Sequence, residues 1–166
     1  STVPEGIPTS GTIPTKSSER TPSISGINIS SYETGLGGQL TNFASLPIIF
    51  RGKPYKNSEA AYQDNKSDLT DNGVLSLMIE VIIAKLQQHP NLIQQIKEGG
   101  GIEFLNASTH NLIKNGRIVK EDRWTGKNGL FMQALRQAYK TVDKPTSQYL
   151  QQSNESYEPA DRALNQ

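Results

Sequence analysis

The residues best placed to do chemistry lie in Glu59-Ala60-Ala61-Tyr62-Gln63-Asp64-Asn65-Lys66. Glu59, Tyr62, Gln63 and Lys66 fall at i, i+3, i+4 and i+7, so one helix face presents an acid, a phenol, an amide and an amine together. Such a stripe is a poor core face. It is either solvated or it lines a pocket, and Glu59 also suits the helix dipole in a first turn. A second concentration is Glu121-Asp122-Arg123-Trp124, two acids beside the only Trp, followed by Thr125-Gly126-Lys127-Asn128-Gly129. A third is Gly35-Leu36-Gly37-Gly38, expected to be a loop, either plain or ligand-lining. It is not a P-loop, because no Gly-Lys-Ser/Thr follows. The chain has no Cys and two His, His89 and His110. That leaves no thiol nucleophile, no Cys-built zinc site and little for a His-built one. Chemistry must rest on carboxylates, amides and lysines.

Elements that would position these groups can be read around them. Ile27-Asn28-Ile29 alternates like a short strand. Ile48-Ile49-Phe50-Arg51 is an expected strand, Gly52-Lys53-Pro54 a turn, and Tyr55 the start of the return. Asn57 or Ser58 then caps the helix that carries Glu59. Residues 74–88 form an amphipathic helix, with Val74, Leu75, Met78, Val81, Ile82, Ala84 and Leu86 apolar and Glu80, Lys85, Gln87 and Gln88 polar. Pro90 suits the first turn of a second helix over 90–98, which Gly99-Gly100-Gly101 stops. Ile102-Glu103-Phe104-Leu105 is expected as a strand, Asn115-Gly116 as a turn, and 129–141 as a last helix. The order of elements predicts an α+β fold: a small single domain of about four to five helices packed with a few short strands.

Composition bounds the rest. Hydrophobic residues make up 34% of the 166, below the roughly 45–50% typical of globular chains. The deficit lies at the ends. Residues 1–30 hold four Pro, seven Ser and five Thr, which suits a flexible linker over 1–26. Residues 143–166 read as a polar tail, leaving a domain over 27–142. That domain carries thirteen Lys and Arg against ten Asp and Glu, a net +3, which permits an anionic ligand without demanding one. Its longest apolar run, Val81-Ile82-Ile83-Ala84, is four residues, against roughly 18 for a membrane span. No secretory signal is seen, so the expectation is a cytoplasmic domain with no membrane, cut from a larger multidomain protein.

An ordered set of motifs resembles the NADAR (NAD- and ADP-ribose-associated, YbiA-like) domain family. The set is Leu40-Thr41-Asn42-Phe43, Ile48-Ile49-Phe50, Gly52-Lys53-Pro54-Tyr55, then Ser58-Glu59-Ala60-Ala61-Tyr62-Gln63-Asp64-Asn65-Lys66. Ile83-Ala84-Lys85-Leu86 with His89-Pro90 is similar to the family's following helix, and Phe104-Leu105-Asn106-Ala107-Ser108 to its next strand. The resemblance spans about 29–141. Four departures stand out. Ala60 replaces the family's His, and Asn106 its Glu. The Asp-x-x-Trp spacing falls on Glu121 rather than Asp122. The segment after Lys66, which carries helices and a site Trp in relatives, is short. Together they mark a diverged, shortened branch.

The resemblance implies an N-glycosidase that cleaves an N-linked ribose or ADP-ribose, in a metabolite or on guanine in modified nucleic acid. It also implies the roles. Glu59 would stabilise the oxocarbenium-like state or aid the attacking water. Asp122 or Glu121 would assist the leaving base. Trp124 would stack on base or ribose, unless it anchors the core. Asn42, Gln63 and Lys66 would bind ribose hydroxyls or phosphate, with Phe43 and Tyr62 lining the same site. Gly126 and Gly129 would bring backbone N–H groups to a phosphate beside Lys127. No metal or redox cofactor is needed. Two other functions stay open: a non-catalytic ADP-ribose or nucleotide-binding module, and a structural appendage of a larger protein.

Overall fold

The computed structural model describes residues 24–143. In chain order these form α1 (Gly35–Gln39), β1 (Ile48–Phe50), β2 (Lys53–Tyr55), α2 (Ser58–Asn65), α3 (Asp71–Gln88), α4 (Pro90–Gly99), α5 (Ile102–Asn106), β3 (Leu112–Lys114), β4 (Arg117–Lys120) and α6 (Leu130–Val142). The result is a small α+β domain in which each sheet is a two-stranded antiparallel hairpin. The expected linker lies outside the described residues apart from 24–26, and the expected tail apart from Asp143.

Turn and cap chemistry sets most boundaries. Arg51 and Gly52 both have positive φ (54° and 79°), as do Asn115 and Gly116 (51° and 77°). Two such residues in a row twist with the flanking strands, so each pair closes a hairpin, with Phe50 opposite Lys53 and Lys114 opposite Arg117. Asn57 caps α2, its side chain accepting the Ala60 N–H at 2.8 Å. Thr70 caps α3 by accepting the Gly73 N–H at 3.1 Å. Pro90 opens α4, where its missing N–H is harmless.

The core is built by α3 and α6, which pack on each other more extensively than any other pair. Val74, Met78, Val81 and Ile82 of α3 meet Phe131, Ala134, Leu135 and Ala138 of α6, all buried. Gln88, at the end of α3, binds both the N–H and the C=O of Ile49 at 2.8 Å, pairing the free edge of β1 as a strand would.

The structure corrects four sequence expectations. Gly35–Gln39 is a short helix, not a loop. Gly35 serves its positive φ of 63°, and Gly37 and Gly38 serve close packing, since a Cβ there would strike the Asn28 and Glu33 carbonyl oxygens. Ile102–Asn106 is helical rather than extended. A short apolar run fits either state by periodicity, and here Gly100 and Gly101, both at positive φ, turn the chain so that Phe104 and Leu105 enter the core. Ile27–Ile29 does not form a full strand. It makes one parallel bridge, Asn28 to Thr109, with Ile29 N–H donating to the Thr109 carbonyl at 2.8 Å.

The fourth correction is Lys85. Its residue type suggests the polar side of α3, but position 85 lies four residues from Val81 and three from Ile82, on the buried stripe. Lys85 is 2% exposed, and its Nζ donates to the Thr41 carbonyl at 2.6 Å. Burial pushes the amine down to about 7 from its usual range near 10.5. An unfolded Lys85 therefore holds its proton up to about pH 10.5, whereas the folded one releases it near 7. The burial penalty is full below pH 7 and fades as pH rises through that window. Stability should thus rise by on the order of 3–5 kcal/mol between pH 7 and 10.5 from this group alone. Chemical denaturation across that window should show the rise in the wild type but not in Lys85→Met.

Candidate functional site

Asn42 and Glu59 are held together by backbone before their side chains meet. The Glu59 N–H, in the first turn of α2, donates to the Asn42 carbonyl at 3.0 Å. Glu59 Oε1 then accepts from Asn42 Nδ2 at 3.4 Å, and Oε2 from Gln63 Nε2 at 2.7 Å. The i, i+4 spacing of Glu59 and Gln63 produces the second contact directly. Asn42 is 7% exposed, and its Nδ2 also faces Met78 Sδ at 3.2 Å. Asn42 Oδ1 is buried and has no partner, an acceptor that a ligand hydroxyl or amine would satisfy.

These groups border a cleft of about 490 Å³. Of the residues expected at a site, it brings together Asn42, Phe43, Glu59, Tyr62, Gln63, Asp122 and Trp124. Tyr62 meets Trp124 edge to face, with ring centroids 5.6 Å apart and planes at 83°. Burial raises the Tyr62 hydroxyl above its usual range, opposed by the Arg123 charge and aided by Glu59. Trp124 both packs against the core and lines the cleft. At the mouth, Phe43 is 61% exposed and Tyr32 is 49% exposed, two aromatic faces left in water.

Glu121, Lys66 and Gly126 do not border the cleft. Glu121 is exposed. Lys66 caps the end of α2, with its Nζ 6.0 Å from the centroid of the Tyr62 ring. The Gly126 N–H, expected to face a phosphate, donates instead to the His110 carbonyl at 2.8 Å. At Gly129 a Cβ would strike the Thr125 carbonyl oxygen, so its small size serves the turn.

Asp122 reaches the cleft but is occupied. Its Oδ1 accepts the Trp124 N–H at 2.9 Å, its own N–H donates to Thr125 Oγ1 at 3.0 Å, and Oδ2 lies 3.6 Å from Lys120 Nζ. This is an Asx turn that aims Trp124. Arg123 fastens the same loop to the start of α3, donating to the Leu69 carbonyl and to Asp71, both at 2.9 Å.

Sequence reasoning missed His110, Lys120 and Tyr32, which also line the cleft. His110 comes from the loop after α5, and its ring packs on Phe131 with centroids 4.6 Å apart. No local spacing marks it. It enters the site because Asn28 pairs with its neighbour Thr109 and Gly126 pairs with His110 itself. The chain matches no family model, no curated protein and no solved structure.

Trp124, as the sole Trp, reports on the loop. Asp122→Ala removes the Asx turn and should cost about 1 kcal/mol. Its Trp emission should shift to longer wavelength, as the indole loosens into water. An unchanged spectrum and denaturation midpoint would show that Arg123 and the Gly126–His110 pairing hold the loop without the Asx turn.

Proposed function

We propose that the cleft is the site of an N-glycosidase. It would hydrolyse the bond between a ribose, or the ribose of ADP-ribose, and a base nitrogen. In this proposal the chain is a diverged NADAR-type domain. Its substrate is a modified base in nucleic acid or a phosphoribosyl-linked metabolite, and it works in the cytoplasm, within a larger protein, without metal or redox cofactor. The observation that carries the reading is Glu59, whose two carboxylate oxygens face Asn42 and Gln63 beside the aromatic pair Tyr62 and Trp124.

Cleavage of an N-glycosidic bond develops positive charge on the sugar ring. A carboxylate fixed in advance by amides stabilises that charge without reorganising as it forms. Amide donors at both oxygens fix the direction of Glu59 without bringing an opposing charge to it. The buried Asn42 Oδ1 would accept a ribose hydroxyl. The faces of Phe43 and Trp124 offer stacking for a base. The second reading, a nucleotide-binding module without turnover, is favoured by Asp122, since its engagement with Trp124 and Lys120 removes one of the expected acids from chemistry.

Glu59→Gln discriminates between the two. It keeps size and hydrogen bonding but removes the charge. Released ADP-ribose or base is followed with an ADP-ribosylated guanine oligonucleotide, NAD and aminopyrimidine ribose phosphate. Turnover of at least one substrate should fall by about 10²–10⁴-fold in the variant, with calorimetric ADP-ribose binding retained. Binding without turnover in the wild type supports the module. Turnover unaffected by the substitution would sink the glycosidase.

A further inference from the structure

His110 has one ring nitrogen committed and one free. Its Nδ1 lies 2.7 Å from the Ile29 carbonyl oxygen. A carbonyl only accepts, so Nδ1 carries a proton and donates it. Ile29 is fully buried, which makes this bond point into the core and turns the opposite edge of the ring outward. Among the described residues, only Asn42 Oδ1 and Ser58 Oγ are both buried and unpartnered. Nε2 has no partner among them either, so it reaches open space, and the space that His110 borders is the cleft. The backbone fixes the ring from both sides: His110 N–H donates to the Gly126 carbonyl at 3.2 Å, and the Gly126 N–H returns to the His110 carbonyl.

We propose that Nε2 of neutral His110 is the proton acceptor of this cleft, placed to take a proton from the water or the ligand group that meets Glu59. The assignment rests on the glycosidase reading for its chemistry. In the hydrolytic step the water oxygen forms a bond to the anomeric carbon as the C–N bond breaks. The electron pair of that bond leaves with the base nitrogen. One water proton passes to Nε2, which then returns it to the departing nitrogen, so that sugar hydroxyl and free base result and His110 is neutral again.

The surroundings suit a base that is unprotonated at neutral pH. Burial lowers the imidazole below its usual range. The Ile29 bond and the Asp122 charge act in the opposite direction and are outweighed. The charged groups that border the cleft with it are Glu59 from α2, Lys120 from β4 and Asp122 from the following loop. The ring itself rests on Phe131, which contributes no charge. Asp122, one of the two acids expected to assist the leaving base, is tied to the Trp124 N–H, and that leaves His110 as the open proton acceptor on its side of the cleft.

The test uses His110→Asn. The Asn amide reaches about as far as Nδ1 and can keep the Ile29 bond, while nothing replaces Nε2. Hydrolysis of the substrate turned over by the wild type should fall by about 10²–10⁴-fold with KM little changed. The acid limb of the pH profile, expected below pH 6.5 in the wild type, should move to where only a carboxylate titrates. Nitrogen-15 NMR of the wild type, independent of turnover, should show Nδ1 protonated, Nε2 bare at pH 7, and a shift of Nε2 on addition of ADP-ribose. Equal activity with an unmoved acid limb in the variant overturns the His110 assignment and leaves the glycosidase standing. A ring protonated on Nε2 at pH 7 overturns it whatever the activity. A wild type inactive on every substrate overturns the glycosidase and the hydrolytic role together, and only an Nε2 shift with ADP-ribose would then support His110 as a ligand acceptor.

Discussion

The hydrogen bond from Lys85 to the Thr41 carbonyl joins the core of this domain to its cleft. Lys85 stands on the stripe of α3 that packs against α6, while Thr41 immediately precedes the residue that contacts Glu59 twice. A long amine spans from the helix to the 40–43 segment, which has no regular secondary structure of its own. Fixing Thr41 fixes Asn42. The Asn42 carbonyl then takes the Glu59 N–H in the first turn of α2, and its side-chain amide donates to one oxygen of Glu59. Burying an amine on a single neutral acceptor is costly. Part of that cost is relieved because the amine loses its proton readily. Replacing it with an apolar chain would remove the desolvation cost but leave the Thr41 carbonyl, in a residue 3% exposed, without its donor.

The carboxylates near the cleft divide by what already holds them. Asp122 accepts a backbone N–H and sits beside Lys120, so its charge is spent on shaping the loop that presents Trp124. Glu121 lies outside. Glu59 is held as well, but by amide side chains of the cleft itself rather than by an ion pair. Its charge is oriented without being neutralised. Sequence singled out Glu59 but left Asp122 and Glu121 as alternatives for the second acid, and their partners separate all three.

Features that depend on a few neighbouring residues were legible in the sequence. The Asn57 cap, the Asn115-Gly116 turn, Pro90 at a helix start and the apolar stripe of α6 are all local chemistry. The Glu59–Gln63 pair followed from helical spacing alone. What stayed hidden depends on packing from far along the chain. The Gly-rich segment is helical because Gly37 lies against Asn28, and Ile102–Asn106 because two glycines redirect it into the core. Lys85 is polar by type, but its place on the buried stripe of α3 decides where it lies. His110 had no local signal, since its tautomer is set by Ile29, 81 residues away.

Charge around the cleft constrains how any nucleotide could lie in it. Glu59, Asn42 with its buried acceptor Oδ1, and His110, whose protonation burial disfavours, all border the cleft, and none of these welcomes a phosphate. Lys120, which borders the cleft from β4, is mostly exposed, and Lys66 lies outside, over Tyr62. Phosphates would therefore stay toward the Lys120 side, in contact with water, where a partly screened cation offsets their charge at low desolvation cost. Under the proposed glycosidase reading, the sugar, whose hydroxyls can donate, would suit the Asn42 and Glu59 side, and a base extending from it would meet Trp124 or Phe43. Its anomeric carbon would then lie toward Glu59, the one carboxylate whose charge is oriented but not neutralised.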